Sequence, residues 1–228
     1  MSVMPGRPTF STSDAVRLAR ERFDVETTAE ALPSDRDQNF RLTTKSGERF
    51  VLKVANSREL REVLDLQNSA LTHLAQNHET ASWPPVCAAS GGETIVEAER
   101  EGQRFLVRLL GWVPGVPLVE VRPHGPELLY SLGRFLGATD RALESFEHPA
   151  AGREFRWNMV GGTATVEALL GHVAQEEDRA LLHGFLSRFD AHTQPRLEGL
   201  RRSLIHNDAN DHTVLVTPAR PGDPDGWR

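Results

Sequence analysis

The spacing of hydrophobic positions changes partway along the chain. Between Asn39 and Leu110 several short runs alternate hydrophobic with polar residues, and from Pro126 onward hydrophobic positions recur three and four residues apart. Alternation places successive side chains on opposite faces of a strand, whereas the longer spacing draws one stripe along a helix. Behind Ser11-Thr12-Ser13-Asp14, the positions Val16, Leu18, Ala19 and Phe23 predict a first helix. Asn39 to Thr44 and Glu48 to Val54 flank Lys45-Ser46-Gly47 and predict a β-hairpin. In its second strand Phe50, Leu52 and Val54 share one face, and Val51 and Lys53 the other.

Glu59 to Gln76 predicts a helix with Leu60, Val63, Leu64, Ala70, Leu71 and Leu74 in one stripe. Gln67 lies within that stripe, where a buried amide needs a partner. A second hairpin follows, Glu93 to Ala98 and Arg104 to Leu110. The Pro- and Gly-rich stretch Gly111 to Pro117 then ends the sheet. Beyond it, Leu128, Leu129, Leu132, Phe135, Leu136 and Leu143 predict a helix, and helical patterns continue over Val166 to Val173 and Glu176 to His192. Leu204-Ile205 and Val214-Leu215-Val216 are short apolar runs around a polar loop. There is no internal repeat. Strands first and helices second predict an α+β chain in two lobes, 1–114 and 115–228, joined by a hinge.

Composition narrows the function. A net charge of −6 excludes a generally basic nucleic-acid coat. The single cysteine, Cys87, cannot form an intramolecular disulfide, which fits a reducing compartment. No apolar run approaches the length of a membrane span, and Met1 to Thr9 lacks the apolar core of a secretory leader. The expectation is a cytoplasmic protein whose first eight residues are loose.

The strongest chemical signal is Leu204-Ile205-His206-Asn207-Asp208-Ala209-Asn210-Asp211-His212-Thr213-Val214-Leu215-Val216. It sets an acid- and amide-rich loop between apolar runs and can present Asp208 beside a strand. On its residues alone it reads also as an Asx-rich turn bonded to its own backbone. Its His and Asp residues do not match a recognised tetrahedral ligand spacing, which argues against zinc.

Taken with Lys53 and the hinge, this loop resembles that of the aminoglycoside phosphotransferase-like kinases, whose catalytic loop runs roughly His-Gly-Asp-x-x-x-x-Asn into an apolar strand. His206-Asn207-Asp208 and Val214-Leu215-Val216 carry the likeness. It extends from about Asp14 to Val216 and is nearest to the hydroxylysine-kinase-type branch, which includes kinase domains fused to pyridoxal-phosphate aminotransferases. The resemblance implies a protein-kinase-like fold, ATP and Mg²⁺, and a small, amino-bearing acceptor phosphorylated on a hydroxyl. Fusion to or association with an aminotransferase domain is a partner it allows. Nucleic acid and membrane are not expected partners.

Under that resemblance Asp208 orients the acceptor hydroxyl and takes its proton, and His206 braces the loop. Lys53 holds phosphates, with Val51 as a roof over adenine. Gln67 stands where the family has the helix glutamate that pairs with this lysine. Ser34 and Arg36 lie in the place of the phosphate-covering loop, which has no glycine here. Leu109 to Gly115, including Leu110 and Val113, is the hinge. Trp157 and Asn158 match a segment near the acceptor. The family's metal-binding Asn falls on Thr213, with Asn210 as the nearer amide. No later acid is assigned: Asp223 and Asp225 follow no strand. The expectation is a chain that is C-terminally truncated within an incomplete helical lobe and turns over very slowly. The alternative is a catalytically dead nucleotide-binding or interaction module.

Overall fold

The structure, a computed structural model, describes residues 5–76, 83–153, 155, 157–197 and 199–218. It forms two compact units. One comprises the described residues of Met1–His148 and Leu204–Arg228, and the other is Pro149–Ser203. The lobe boundary expected after residue 114 is a different division and lies inside the first unit. Asp223 and Asp225 lie outside the described residues.

In the first unit, helix α1 (Thr12–Phe23) precedes strands β1 (Thr27–Leu32), β2 (Gln38–Thr44) and β3 (Arg49–Val54). Helix α2 (Arg61–Ala75) leads to β4 (Val86–Cys87), β5 (Val96–Arg100) and β6 (Gln103–Gly111). The strands pair antiparallel in the order β1-β2-β3-β6-β4, and β5 also pairs with β6. Both expected hairpins are present. Strands β1 and β4 were not foreseen. The sequence of β1, Thr-Thr-Ala-Glu-Ala-Leu, carries little β propensity, and pairing with β2 along its whole length makes it a strand.

Alternation sorts the sheet's side chains as expected. Phe40, Leu42, Leu52, Val54, Val107 and Leu109 are buried with Ala15, Leu18, Ala19 and Phe23 of α1. The opposite face carries Asn39, Arg41, Val51, Lys53, Arg108 and Leu110, and α2 reaches it through Asn68 and Gln67. Residues 5–8 are held rather than loose: Asn56 Nδ2 donates to the Pro5 carbonyl (3.1 Å), and the Ser57 amide to that of Gly6 (2.9 Å).

After β6 come β7 (Val116–Pro117) and α3 (Pro126–Ala142), and the chain returns as β8 (Leu215–Val216), paired antiparallel with β7. Leu118, Val121, Leu128 and Val216 form a small core there, with Leu132 of α3 against it. Leu204-Ile205 is irregular, so only the second apolar run becomes a strand. In the second unit come α4 (Gly162–Leu169) and α5 (Glu176–Arg188); Leu170, in the turn after α4, and Leu186 of α5 are buried. The helix expected to reach His192 passes at Phe189–Thr193 into a π-helical turn, followed by α6 (Gln194–Leu197).

A capping box fixes the start of α1. Asp14 accepts the Ser11 amide (2.9 Å), and Ser11 Oγ accepts the Asp14 amide (3.1 Å). Those bonds, with Arg100 and Arg17 alongside, hold the Asp14 carboxyl below the usual carboxylate range. A depressed folded pKa gives stability above the unfolded value of about 3.9, lost as pH falls through the folded pKa. Asp14→Asn is therefore expected to lower the urea midpoint at pH 7 and to match wild type once Asp14 is protonated in both states. A deficit that persists undiminished at that acid limit would contradict the assignment.

Candidate functional site

The face opposite α1 carries two adjacent cross-strand rows of different character. Val51 is in register with Leu110, and Leu110 with Val86, giving an apolar row. Two residues along, about 7 Å at strand rise, Asn39, Lys53 and Arg108 form a polar row. An apolar strip beside a cationic one suits a flat aromatic ring joined to an anionic chain. Val51 and Lys53 thus occupy the face on which the sequence placed them, and Leu110, expected as a hinge residue, lies within β6 on that same face. Val113 lies just past β6 and is half-buried.

Burial lowers the Lys53 pKa and the neighbouring Arg108 lowers it further, against a smaller opposite pull from Asp37. Burial likewise brings Arg108 down to about 10. Gln67 does not pair with Lys53. It is exposed, and its Oε1 accepts from Arg108 Nη2 (2.5 Å). Asn68 is the buried polar residue of α2, 3% exposed, and its Oδ1 accepts from Arg108 Nη1 (2.9 Å). Leu60, expected in the stripe, is exposed at the N-cap, while Leu66 is buried. Val63, Leu64 and Leu74 of the predicted stripe are buried, and Asn68 adds to that face a buried amide that meets Arg108.

Ser34 and Arg36 precede β2. The Ser34 carbonyl accepts from Arg7 (2.9 Å), and Arg36 pairs with Glu59 (3.3 Å). Neither side chain is bonded to Lys53. Burial, with a smaller contribution from Glu48, pushes the Cys87 thiol up, so it is a poor nucleophile.

The Asp208 loop is exposed and internally braced. Asn210 Nδ2 donates to Asp208 Oδ1 (2.6 Å), and the Asp208 amide donates to His206 Nδ1 (3.4 Å). Thr213 Oγ1 donates to the Asp208 carbonyl and accepts the Asn210 amide (3.1 Å). Asn210 Oδ1 accepts the His212 amide (2.9 Å). The Asx-turn reading is therefore correct for the backbone, and the same turn aims the Asp208 carboxylate. Its oxygen donors are a carboxylate, an amide carbonyl and a hydroxyl, all hard, which fits Mg²⁺ or Ca²⁺ chemistry. Among the described residues no three His, Cys, Asp or Glu side chains converge.

Two anchors fix this loop relative to the sheet. The His206 ring lies against Trp83 (5.2 Å between centroids), which also stacks on Phe135 of α3 (5.5 Å). Trp83 is three residues before Val86, the end of the apolar row, so chain length holds the two within about 11 Å. At the other end, the Leu118 amide donates to the Val214 carbonyl and the Val119 amide to that of Asp211, both at 2.9 Å. His206 is accordingly a bracing residue in geometry. Sequence reasoning missed Arg108, Asn68 and Trp83. The signal for Arg108 was a charge interrupting Phe105-Leu106-Val107-Arg108-Leu109-Leu110.

Trp157 and Asn158 belong to the second unit. Trp157 is 74% exposed, not core, and Asn158 caps a 3-10 turn by accepting the Val160 amide (3.1 Å).

The fold is protein-kinase-like. An amicoumacin kinase in complex with AMP-PNP and Ca²⁺ superposes with a TM-score of 0.62 at 16% identity, covering 85% of this chain and 55% of that one. A microcompartment-associated aminopropanol kinase gives 0.60 at 18% identity, covering 94% and 67%. The model of the phosphotransferase enzyme family matches residues 28–225, and the chain belongs to that family. Hydroxylysine kinase of Mus musculus is 30% identical over 96% of this chain and 62% of its own length. That of Bos taurus is 30% identical over 92% and 60%. The chain spans about three fifths of the length of these curated relatives.

The β7–β8 pairing that carries the loop requires Gly115. Its φ is 155°, and a Cβ there would stand 2.9 Å from Leu215 Cβ. Gly115→Ala is expected to lower the melting temperature and to increase amide exchange over residues 214–216, read by hydrogen-exchange mass spectrometry. Unchanged exchange there would show that the pairing tolerates a side chain.

Proposed function

We propose that this chain carries the phosphoryl-transfer site of an ATP-dependent kinase acting on a hydroxyl group of a small, amino-bearing molecule. The observation that carries the reading is the paired rows on one sheet face, with the Asp208 loop tethered to the same unit through Trp83. Adenine would lie against Val51 and Leu110, with backbone groups of the segment through Val113 at its edge. Lys53 would hold phosphate oxygens. Ser34 and Arg36 are the side chains available to cover them, and Gln67 acts on the site through Arg108.

Asn210 engages Asp208 Oδ1, which leaves Oδ2 for the acceptor. Asp208 would orient the acceptor hydroxyl and receive its proton as the new O–P bond forms and the bond from the γ-phosphorus to the departing ADP oxygen breaks. His206 keeps the loop in place. Asn210 and Thr213 are the side chains whose oxygens would help hold a divalent cation, Mg²⁺ in the cell, together with phosphate oxygens. Such a cation neutralises charge on the β- and γ-phosphates.

The hydroxylysine kinase relatives make a hydroxylated amino acid the first acceptor to try. The cytoplasm fits both the ATP requirement and the lone Cys87. Among the described residues no helix is long and apolar enough to cross a membrane.

The test is ADP release with Mg²⁺ over hydroxylysine, aminopropanol and aminoglycosides, alongside calorimetric ATP titration. Asp208→Asn is expected to retain ATP binding and to cut turnover about 10²–10⁴-fold, the span of a lost general base. Lys53→Met is expected to weaken ATP binding itself. ATP binding with no turnover on any acceptor would favour the nucleotide-binding module instead, a reading suggested by Thr213 at the metal position. No ATP binding would overturn both.

A further inference from the structure

Lys53 and Arg108 stand directly opposite each other where β3 pairs with β6, so both side chains leave the same face. Like charges in that relation destabilise a sheet. Arg108 is 5% exposed and held at two points, by Asn68 Oδ1 and Gln67 Oε1, both neutral oxygens. Among the described residues neither cation forms an ion pair with a carboxylate. The acids that act on them from a distance are Asp37 and Glu59. Each is otherwise engaged: Asp37 Oδ1 accepts the Asn56 amide (3.0 Å), and Glu59 pairs with Arg36 (3.3 Å).

On the other side of Lys53, in register, is Asn39, whose Oδ1 is buried without a hydrogen-bond partner. The ammonium thus lies between a fixed cation and an unused acceptor and is bonded to neither. Taking cations out of water without a counter-charge is unfavourable. A ligand that brings several negative charges would relieve both the desolvation and the mutual repulsion. A neutral ligand would relieve neither.

We propose that Arg108 is a positioning residue for phosphate recognition. Fixed by Gln67 and Asn68, it acts as a stationary positive charge behind Lys53, and the pair selects ligands with a di- or triphosphate chain over the bare nucleoside. The inference rests on the kinase reading above and adds to it the residue that sets the charge requirement.

The experiment is calorimetric titration of ATP, ADP, adenosine and inorganic tripolyphosphate into wild type, Arg108→Gln, Arg108→Lys and Lys53→Met. Arg108→Gln is expected to weaken ATP and tripolyphosphate about tenfold, or ~1.4 kcal/mol, and to leave adenosine unchanged. Arg108→Lys is expected to recover part of that loss, because lysine restores the charge but cannot span both Asn68 Oδ1 and Gln67 Oε1. A merely structural arginine would lower all affinities together and would not be rescued by lysine. An unchanged ATP-to-adenosine ratio in Arg108→Gln overturns the proposal, and if Lys53→Met still loses ATP, the kinase reading survives.

Melting curves decide the matter should Arg108→Gln fail to fold. Removing the repulsion in Lys53→Met is expected to raise the ligand-free melting temperature by about 2–4 °C and to abolish the rise that tripolyphosphate gives wild type. A lower ligand-free melting temperature would overturn the proposal. No ATP binding by wild type would sink the kinase reading with it.

Discussion

The antiparallel register that sets β3 between β2 and β6 is the constraint on which the site depends. One slipped residue would exchange the two faces of β3. Leu52 and Val54 would leave the core they share with α1, and Lys53 would enter it. The cost of burying that ammonium among Phe40, Leu42 and Val107 would exceed anything the turns could return. Packing on one face therefore fixes the chemistry of the other. The apolar row of Val51 and Leu110 and the cationic row of Lys53 and Arg108 are where they are because Leu52, Val54, Val107 and Leu109 must be inside.

A second dependence joins the sheet to the Asp208 loop. The loop has little burial of its own, and its turn is closed by short-range bonds among Asp208, Asn210 and Thr213. Such bonds shape a turn but do not place it. Placement comes from β7–β8, from Val216 packed with Leu118 and Leu128, and from the Trp83 ring against His206. An exposed carboxylate carried on such a frame stays accessible and keeps its position.

Much of this was legible in one sequence. Alternation revealed both hairpins and the sidedness of β3, and the run from His206 to Val216 exposed the carboxylate loop. These signals are local: a strand's faces follow from period two, and an Asx-rich turn follows from side chains reaching their own backbone. Strands β1 and β4 escaped because β1 lacks an apolar alternation and β4 is only two residues long, so both become strands through their partners, β2 and β6.

The sequence by itself determined which residues could do chemistry and on which face of its own strand Lys53 stands. Only the tertiary structure decided what Lys53 meets there. Gln67 was expected as its partner because the resemblance puts it at the family's helix-glutamate position, yet the pairing of β3 with β6 brings Arg108 opposite the lysine. Buried at that position, the guanidinium needs two acceptors, and it draws them from Gln67 and Asn68. Periodicity shows which way a side chain points along its own element. Which charge arrives from another strand depends on register between segments more than fifty residues apart, and no local pattern encodes it.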